Sequence, residues 1–451
     1  MKAVIKSTKS PEKINALTQC PESVVTARYS SAIGVDVHAE LLVCAYQCAE
    51  DDQIRTEVIE FGTKASDIES FSLWCLSKNP ALIIMKSIGV LWQSPYEALE
   101  RKGFSGHRLA LVNARDVKAM IGRKTDKEDA KRLSELARLG HIRRSFIPVK
   151  AFREMRALSR RYQKITADIA RQTNVYHKLL NSVGCRANSV FSDIRGKAAT
   201  AILQALIECP QELKQVIIAH SRRLKASPQE IFDALDFSIP EILRAQILEE
   251  REQITILQRF AQRTLERLRE LQKPYERLIE LLQTIPGIKE VSARLILAEL
   301  CDHLRDFFAD SEHFCSWLGI CPGNKISANK SYSGASAKGN KWLRRTLTEC
   351  AQAIGLSKDV FRERFNVFKI RRGTRRAVVA IAHLLARAIY SVLTHGKEFV
   401  FRRTTRIQDV LVERVKRSSK QLLQMNDAIN PAYSLIDNQT GEIIPAIVSS
   451  G

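Results

Sequence analysis

The chain has 451 residues, which is longer than one ordinary domain, so we expect two globular units joined by helices. Hydrophobic residues make up 45% of it, which excludes a wholly disordered protein. Lys and Arg number 71 against 49 Asp and Glu, and a net charge of +22 favours a polyanionic partner such as nucleic acid. On charge alone, a basic protein with a solvated surface stays open.

The ten cysteines are scattered without a C-x-x-C pair, which argues against a zinc ribbon or a disulfide framework and favours reduced thiols in the cytoplasm. The first twenty residues lack the apolar core of a signal peptide. The apolar stretch at 377–393 contains His383 and Arg387 and is short for a membrane span. It predicts a buried helix, and we expect no membrane segment.

The first part of the chain alternates between strand and helix patterns. Residues 32–37, 41–47 and 57–61 have the pattern of three strands, and a capped amphipathic helix follows at 66–78. The apolar run at 80–85 is typical of a strand buried on both faces. A helix near 92–102, a strand at 108–112 and a helix with Thr125 as N-cap and Glu128 in the capping-box position complete the series. This is the element order of the RNase H-like fold.

Three carboxylates have the spacing of a metal site. Asp36 lies inside the apolar run of the first strand, where a buried, unpaired carboxylate costs on the order of several kcal/mol, so it needs a partner. Asp126 and Asp129 are three residues apart and share one helix face. Alone, these two equally fit the first turn of a helix, where acidic residues favour the dipole. With Asp36 they indicate a site for Mg²⁺, which prefers oxygen ligands.

The middle of the chain is basic and then periodic. Residues 143–178 hold ten basic and two acidic residues, and although a solvated helix face is the usual explanation, the imbalance favours a nucleic-acid contact. An apolar residue recurs every seven positions between 247 and 282, which resembles a coiled-coil seam that pairs subunits. An intramolecular helical hairpin would leave the same pattern, and Pro274 is expected to interrupt it.

Residues 281–300 resemble a helix-hairpin-helix, whose tight turn at Gly287 would present backbone N–H groups to a phosphate. Lys289 stands where a second glycine is usual, so a plain helix–helix turn is the competing interpretation. The segment 317–345 is polar, loop-rich and basic, and is predicted to enter a helix at about Asn340. A serine near cations and a metal can act as a nucleophile toward phosphorus, but the residues alone do not distinguish Ser327 from Ser331 or Ser333.

Together these motifs resemble one family, the DEDD-type insertion-sequence transposases of the insertion sequence one-ten family, which includes the Piv-type DNA invertases. The resemblance runs from about residue 33 to 402. The motifs that carry it lie at 34–38 (GVDVH), 87–92 (SIGVLW), 112–115 (VNAR), 122–130 (GRKTDKEDA), 285–288 (IPGI) and 318–345.

The resemblance implies an RNase H-like (RuvC-like) domain with a four-carboxylate Mg²⁺ site and a C-terminal domain that supplies a nucleophilic serine. Asp36, Asp126 and Asp129 match three of the acids, and Ser327 matches the family serine. Such enzymes act as oligomers, dimers or tetramers, on double-stranded DNA of the element ends and target through a phosphoserine intermediate, and a structured guide RNA directs many of them. A cytoplasmic, nucleoid-associated protein is expected.

The predicted domains are an N-terminal tail (1–30), an RNase H-like α/β domain (31–150), a basic helical and coiled-coil region (151–280), a mainly α serine-bearing transposase domain (281–405) and a polar tail (406–451). The predicted nucleic-acid contacts are basic residues in the motifs and in the helical clusters. They are Arg123, Lys124, Arg153, Arg156, Arg160, Arg161, Lys325, Lys330, Lys338, Arg344, Arg345, Arg371 and Arg372.

One departure from the family pattern concerns the second acid, whose position holds Lys86. An ammonium there changes the local charge by two units and places a cation where a metal should bind. We therefore hypothesise that Lys86 pairs with Asp36 and the helix aspartates and that this copy is catalytically impaired. Glu97 and Glu100 lie on the next predicted helix and are poor substitutes. A non-catalytic nucleic-acid-binding protein is the main alternative, and a junction nuclease would leave the C-terminal half unexplained.

Overall fold

The computed structural model describes residues 27–50, 53–87, 89–113, 117, 125–141, 144–222, 224–237, 239–300, 304–321, 325–327, 330–333, 339–357, 360–400, 415, 417–419 and 421. The predicted tails at 1–30 and 406–451 lie almost wholly outside these residues. The chain divides into two compact units, Met1–Arg153 and Glu154–Gly451.

The first unit contains a mixed five-stranded sheet whose strands are β1 (Ser31–Val37), β2 (Leu41–Glu50), β3 (Gln53–Gly62), β4 (Leu82–Ser87) and β5 (Leu109–Asn113). Their order across the sheet is β3-β2-β1-β4-β5. The strands β1, β2 and β3 are antiparallel neighbours, whereas β4 runs parallel to β1 and β5 parallel to β4. The five predicted strands are confirmed, and β2 and β3 extend beyond their apolar runs because they pair along their whole lengths.

Three helices of this unit are α1 (Ala65–Lys78), α2 (Gln93–Arg101) and α3 (Asp126–Leu139). One face of the sheet shares a core with α1 and α2, which contribute Phe71 and Leu99. The other face packs on α3 through Leu133 and Ala137. The Thr125 hydroxyl accepts a hydrogen bond from the Glu128 N–H at 3.3 Å, so the predicted N-cap of α3 is confirmed.

The second unit is built on helices. Its first part comprises α4 (Lys150–Ser182), which begins in the first unit, then α5 (Ala187–Val190), α6 (Lys197–Glu208), α7 (Leu213–Ser221), α8 (Pro228–Leu235) and α9 (Glu241–Gln272). The seam positions Ile247, Ile254 and Ala261 are buried in a core that α4 and α6 also line. The intramolecular interpretation of the heptad pattern is therefore the correct one for this stretch. Pro274 lies in a 3₁₀ turn directly after α9, which confirms the predicted interruption.

The last part comprises α10 (Glu276–Gln283), α11 (Glu290–Glu299), α12 (Ser311–Leu318), the hairpin of β6 (Lys325–Ser327) and β7 (Lys330–Ser333), α13 (Lys341–Leu356), α14 (Phe361–Arg372) and α15 (Thr374–His395). Gly287, between α10 and α11, has a φ of +83°, and a Cβ added there would lie 2.6 Å from Ile354 Cγ1. Within the described residues, α15 alone is long and apolar enough to cross a membrane. It is mostly buried in the protein, as predicted for this stretch.

Candidate functional site

The site begins with a close approach of backbones between β1 and α3. A Cβ added at Gly34 would lie 2.5 Å from the Ala130 carbonyl oxygen and would also meet the Ser134 backbone nitrogen, so only glycine fits. Residues two apart on a strand point to the same face. Asp36 therefore faces α3 as Gly34 does, which brings it close to the first turn of that helix.

Asp36, Lys86 and Asp129 form an ion-pair cluster. Asp36 on β1 is opposite Lys86 on β4 in the parallel register, and the two residues are 2% and 8% exposed. The Lys86 ammonium lies 2.7 Å from Asp36 Oδ2 and 2.7 Å from Asp129 Oδ2. Burial lowers the pKa of Lys86, but the hydrogen bonds from its ammonium to Asp129 and Asp36 outweigh it, so the pKa lies above its ordinary value. The side chain is therefore a cation at neutral pH.

His38 adds a fourth group that we did not single out from the sequence. Its Nε2 lies 3.4 Å from Asp36 Oδ2 and 3.6 Å from Asp126 Oδ1, and one ligand atom from each of the three residues falls within 4.8 Å of the other two. The signal was present, because His38 follows Asp36 by two residues and extended chain places such pairs on one face. Asp126 and Asp129 thus face different partners, His38 and Lys86.

The carboxylates do not fit the metal arrangement that the resemblance implies. A metal ion that bridged Asp36 and Asp129 would occupy the space of the Lys86 ammonium, and the two cations would repel each other. Glu97 and Glu100 offer no replacement acid, since both lie on α2 and pair with Arg153 at 3.5 and 2.5 Å. The position between Asp36, His38 and Asp126 is the one that these residues leave for a metal.

Ser327 lies at the end of β6, where its backbone is opposite Lys330 of β7. The structure describes the backbone of these two residues and of Lys325, and their side chains lie outside the described part. Arg123, Lys124 and Lys338 lie wholly outside the described residues. For these six positions the sequence remains the basis of the prediction.

Several predicted nucleic-acid contacts are engaged within their own unit. Arg153 is 8% exposed at its side chain and forms the pairs with Glu97 and Glu100. Arg156 Nη2 donates to the Glu299 carbonyl oxygen at 2.6 Å, and Arg160 donates to both carboxylate oxygens of Glu299 at 2.7 and 2.8 Å. These interactions stabilise the fold and leave fewer N–H donors of each guanidinium available to bind a phosphate.

Glu299 joins three elements of the second unit. Its carboxylate is fully buried and also accepts a hydrogen bond from Asn340 Nδ2 at 2.9 Å. The predicted helix start at about Asn340 is confirmed, and Asn340 is the N-cap of α13, whose side chain accepts from the N–H groups of Trp342 and Leu343. Glu299 therefore fixes the point at which the serine-bearing segment enters its helix.

We expect Glu299→Gln to lower the thermal unfolding midpoint by about 5 °C or more, because removing one partner of a buried ion pair costs about 3–5 kcal/mol. Circular dichroism would measure it. The control is Glu349→Gln, since Glu349 is 58% exposed at its side chain and pairs with Arg345 on the surface. A midpoint in Glu299→Gln equal to that of the control would contradict the assigned role.

Other predicted cations are accessible. Arg161, Arg345, Arg371 and Arg372 are exposed, and Arg344 is half-buried. Arg371 and Arg372 end α14, and Arg375 and Arg376 are exposed in the first turn of α15. These four guanidinium groups form an exposed basic cluster, of which Arg371 and Arg372 were predicted contacts.

Two models of known families match the chain, and the motifs lie within the matched ranges. Residues 33–184 match a family model described as a transposase, of the DEDD type from IS110 elements, and residues 279–366 match the model of the transposase IS116/IS110/IS902 family. Together they cover more than half of the chain. The first range contains Asp36, Lys86, Asp126 and Asp129, and the second contains Ser327. No curated protein matches the chain.

Proposed function

Because the chain belongs to the IS110 family of insertion-sequence transposases, we propose that it binds, cuts and rejoins the DNA ends of its own element through Ser327. Members of this family act on DNA as cleaving and rejoining enzymes. The observation that carries the proposal is the convergence of Asp36, Asp126 and Asp129 from β1 and α3 on one small site, in a chain whose C-terminal half matches the transposase model.

The first unit is proposed to be an RNase H-like (RuvC-like) domain. The sheet order β3-β2-β1-β4-β5, with three antiparallel strands followed by two parallel ones, supports this assignment. The acids lie on the central strand and on the helix that packs over it. In this arrangement the sheet holds Asp36 rigidly, and α3 brings its first-turn carboxylates to it.

In the proposed reaction, the Ser327 hydroxyl oxygen attacks a backbone phosphorus. The Oγ–P bond forms while the P–O bond to one strand end breaks, and that strand end leaves as a hydroxyl that takes up the serine proton. Rejoining reverses the step, because a strand hydroxyl attacks the phosphoserine and restores the free serine. Between the two steps the strand stays joined to the protein through the phosphodiester, so it is not lost by hydrolysis.

The experiment traps the covalent intermediate. An end-labelled duplex carrying the element end is incubated with the parent and with Lys86→Glu, and protein-linked label is counted after denaturation. We expect Ser327→Ala to abolish the adduct and the matched variants Ser331→Ala and Ser333→Ala to retain it. An adduct that persists in Ser327→Ala would overturn the serine assignment.

A second function, nucleic-acid binding without catalysis, is favoured by the contacts of Lys86. Its ammonium neutralises part of the carboxylate cluster that the family uses for divalent metal, and we propose that strand cleavage by this copy is weakened while DNA binding is kept. DNA binding without any adduct, in the parent and in Lys86→Glu, would favour this second function.

The proposed DNA surface includes the exposed cluster at 371–376 and Arg161 and Arg345, with Lys325 and Lys330 beside Ser327. Cations that neutralise phosphates give an affinity that falls as salt rises. We further propose a structured guide RNA as a second polyanionic partner, a homo-oligomer and a cytoplasmic, nucleoid-associated location. The seam positions Ile247, Ile254 and Ala261 of α9 are buried within the chain, so the oligomer would use other surfaces.

A further inference from the structure

The space beside Asp36, His38 and Asp126 has the dimensions of a metal site. Two ligand atoms that each lie about 2.1 Å from one ion, at tetrahedral or octahedral angles, are about 3.0–3.4 Å apart. His38 Nε2 lies 3.4 Å from Asp36 Oδ2 and 3.6 Å from Asp126 Oδ1. The Asp36 and Asp126 oxygens lie within 4.8 Å of each other, so a small cation would bind all three groups once the exposed Asp126 side chain moved toward the other two.

The imidazole nitrogen provides an independent observation. The His38 side chain is 41% exposed, yet its Nε2 atom is buried and has no hydrogen-bond partner among the described residues. A buried imidazole nitrogen directed at two carboxylates is costly if it stays unpaired, and it is well placed to bind a metal. Asp36, which it faces, is itself 2% exposed and rigidly held in β1.

The charges of the cluster set the number of cations. Asp36, Asp126 and Asp129 carry three negative charges and Lys86 carries one positive charge, which leaves a charge of −2. One divalent cation neutralises it. A four-carboxylate site with a charge of −4 suits two divalent cations, as in two-metal phosphodiester chemistry. In this chain the ammonium between Asp36 and Asp129 takes the place of one of them.

We propose that Asp36, His38 and Asp126 bind a single divalent transition-metal ion, such as Zn²⁺, and that Lys86 is the second cation of the site. An imidazole with two carboxylates is a ligand set that suits Zn²⁺ or Co²⁺, whereas Mg²⁺ prefers oxygen ligands alone. The proposal extends the proposed function at the same site. It is tested without DNA, so its failure is distinct from a failure to form the serine adduct.

The test measures metal binding by the full chain. Zn²⁺ is titrated calorimetrically, and Co²⁺ binding is followed by its visible absorption, which reports the number and geometry of its ligands. We expect one ion per chain for the parent and an affinity loss of about tenfold or more in His38→Ala and in Asp126→Asn. Asp126 is 62% exposed at its side chain, so its variant keeps the fold.

Two matched controls separate the site from the rest of the unit. His107→Ala removes another exposed imidazole, and Glu128→Gln removes a first-turn carboxylate of α3 that pairs with Lys131 instead. Both are expected to bind Zn²⁺ and Co²⁺ as the parent does. The proposal is overturned if the parent binds neither ion, or if His38→Ala binds both as tightly as His107→Ala. Either result would show that His38 lies beside the two carboxylates without binding a metal with them.

Discussion

Lys86→Glu is expected to raise excision of the element from DNA by about tenfold or more over the parent, because outer-shell changes alone alter metal sites by about 10–100-fold and this one restores a ligand. In the parent, the positive Lys86 ammonium lies 2.7 Å from Asp36 and 2.7 Å from Asp129, where the family pattern has a negative carboxylate. Excision of a marked element from a plasmid measures the effect. Equal excision by the parent and the variant would show that Lys86 does not limit the reaction.

The same substitution predicts a stability effect that does not depend on any reaction. Without divalent metal, Lys86→Glu places a third carboxylate beside the buried Asp36, and Lys86→Met leaves Asp36 without its counter-charge. Loss of a buried partner costs about 3–5 kcal/mol, so both variants should unfold at lower temperature than the parent. Added Mg²⁺ should restore the stability of Lys86→Glu more than that of Lys86→Met, because only Lys86→Glu supplies a fourth carboxylate. Lys131→Met is the control, since Lys131 and Glu128 form an exposed pair.

Gly34→Ala is expected to destabilise the first unit by about 3 kcal/mol or more, at the upper end of the range for overpacked cores. The added methyl group would meet Ala130 and Ser134 backbone atoms and the Leu133 Cβ at 2.6 Å, and a helix backbone cannot rotate away. If the protein still folds, α3 must move off β1, which separates Asp126 and Asp129 from Asp36. Thermal unfolding and Zn²⁺ titration measure the two effects.

Gly62→Ala provides the comparison for Gly34→Ala. Its added methyl group also meets close contacts, but they belong to the Asp67 side chain, whose carboxylate can rotate. We expect a much smaller loss of stability there and no change in Zn²⁺ affinity. Equal losses at the two glycines would show that the approach of β1 to α3 is not the limiting contact.

The sequence predicted those parts of the fold that depend on local chemistry. The strands of the first unit, the Thr125 cap, the helix start at about Asn340 and the interruption at Pro274 all follow from signals within a few residues, and the structure confirms them. The seam of α9 was ambiguous, because periodicity states which face is buried and not what buries it. Its partner proved to be the same chain.

Long-range pairing could not be predicted. Arg160 and Glu299 are 139 residues apart, and Arg153 and Glu100 are 53 residues apart. The sequence therefore contained no sign that these arginines form ion pairs within the protein, and they were predicted to contact nucleic acid. The acids Asp36, Asp126 and Asp129 were found from position alone because each lies in a distinctive local pattern. Which of these acids faces Lys86 and which faces His38 could not be predicted, because it depends on how α3 packs on β1.

The ion pairs of Lys86 have a genetic consequence. Because the ammonium pairs with Asp36 and Asp129, we expect a copy that carries the lysine to keep its first unit folded. Lysine codons (AAA, AAG) differ from glutamate codons (GAA, GAG) only in the first base. A single transition therefore converts Lys86 to glutamate, so under the proposed impairment the element would be a dormant allele from which active copies return.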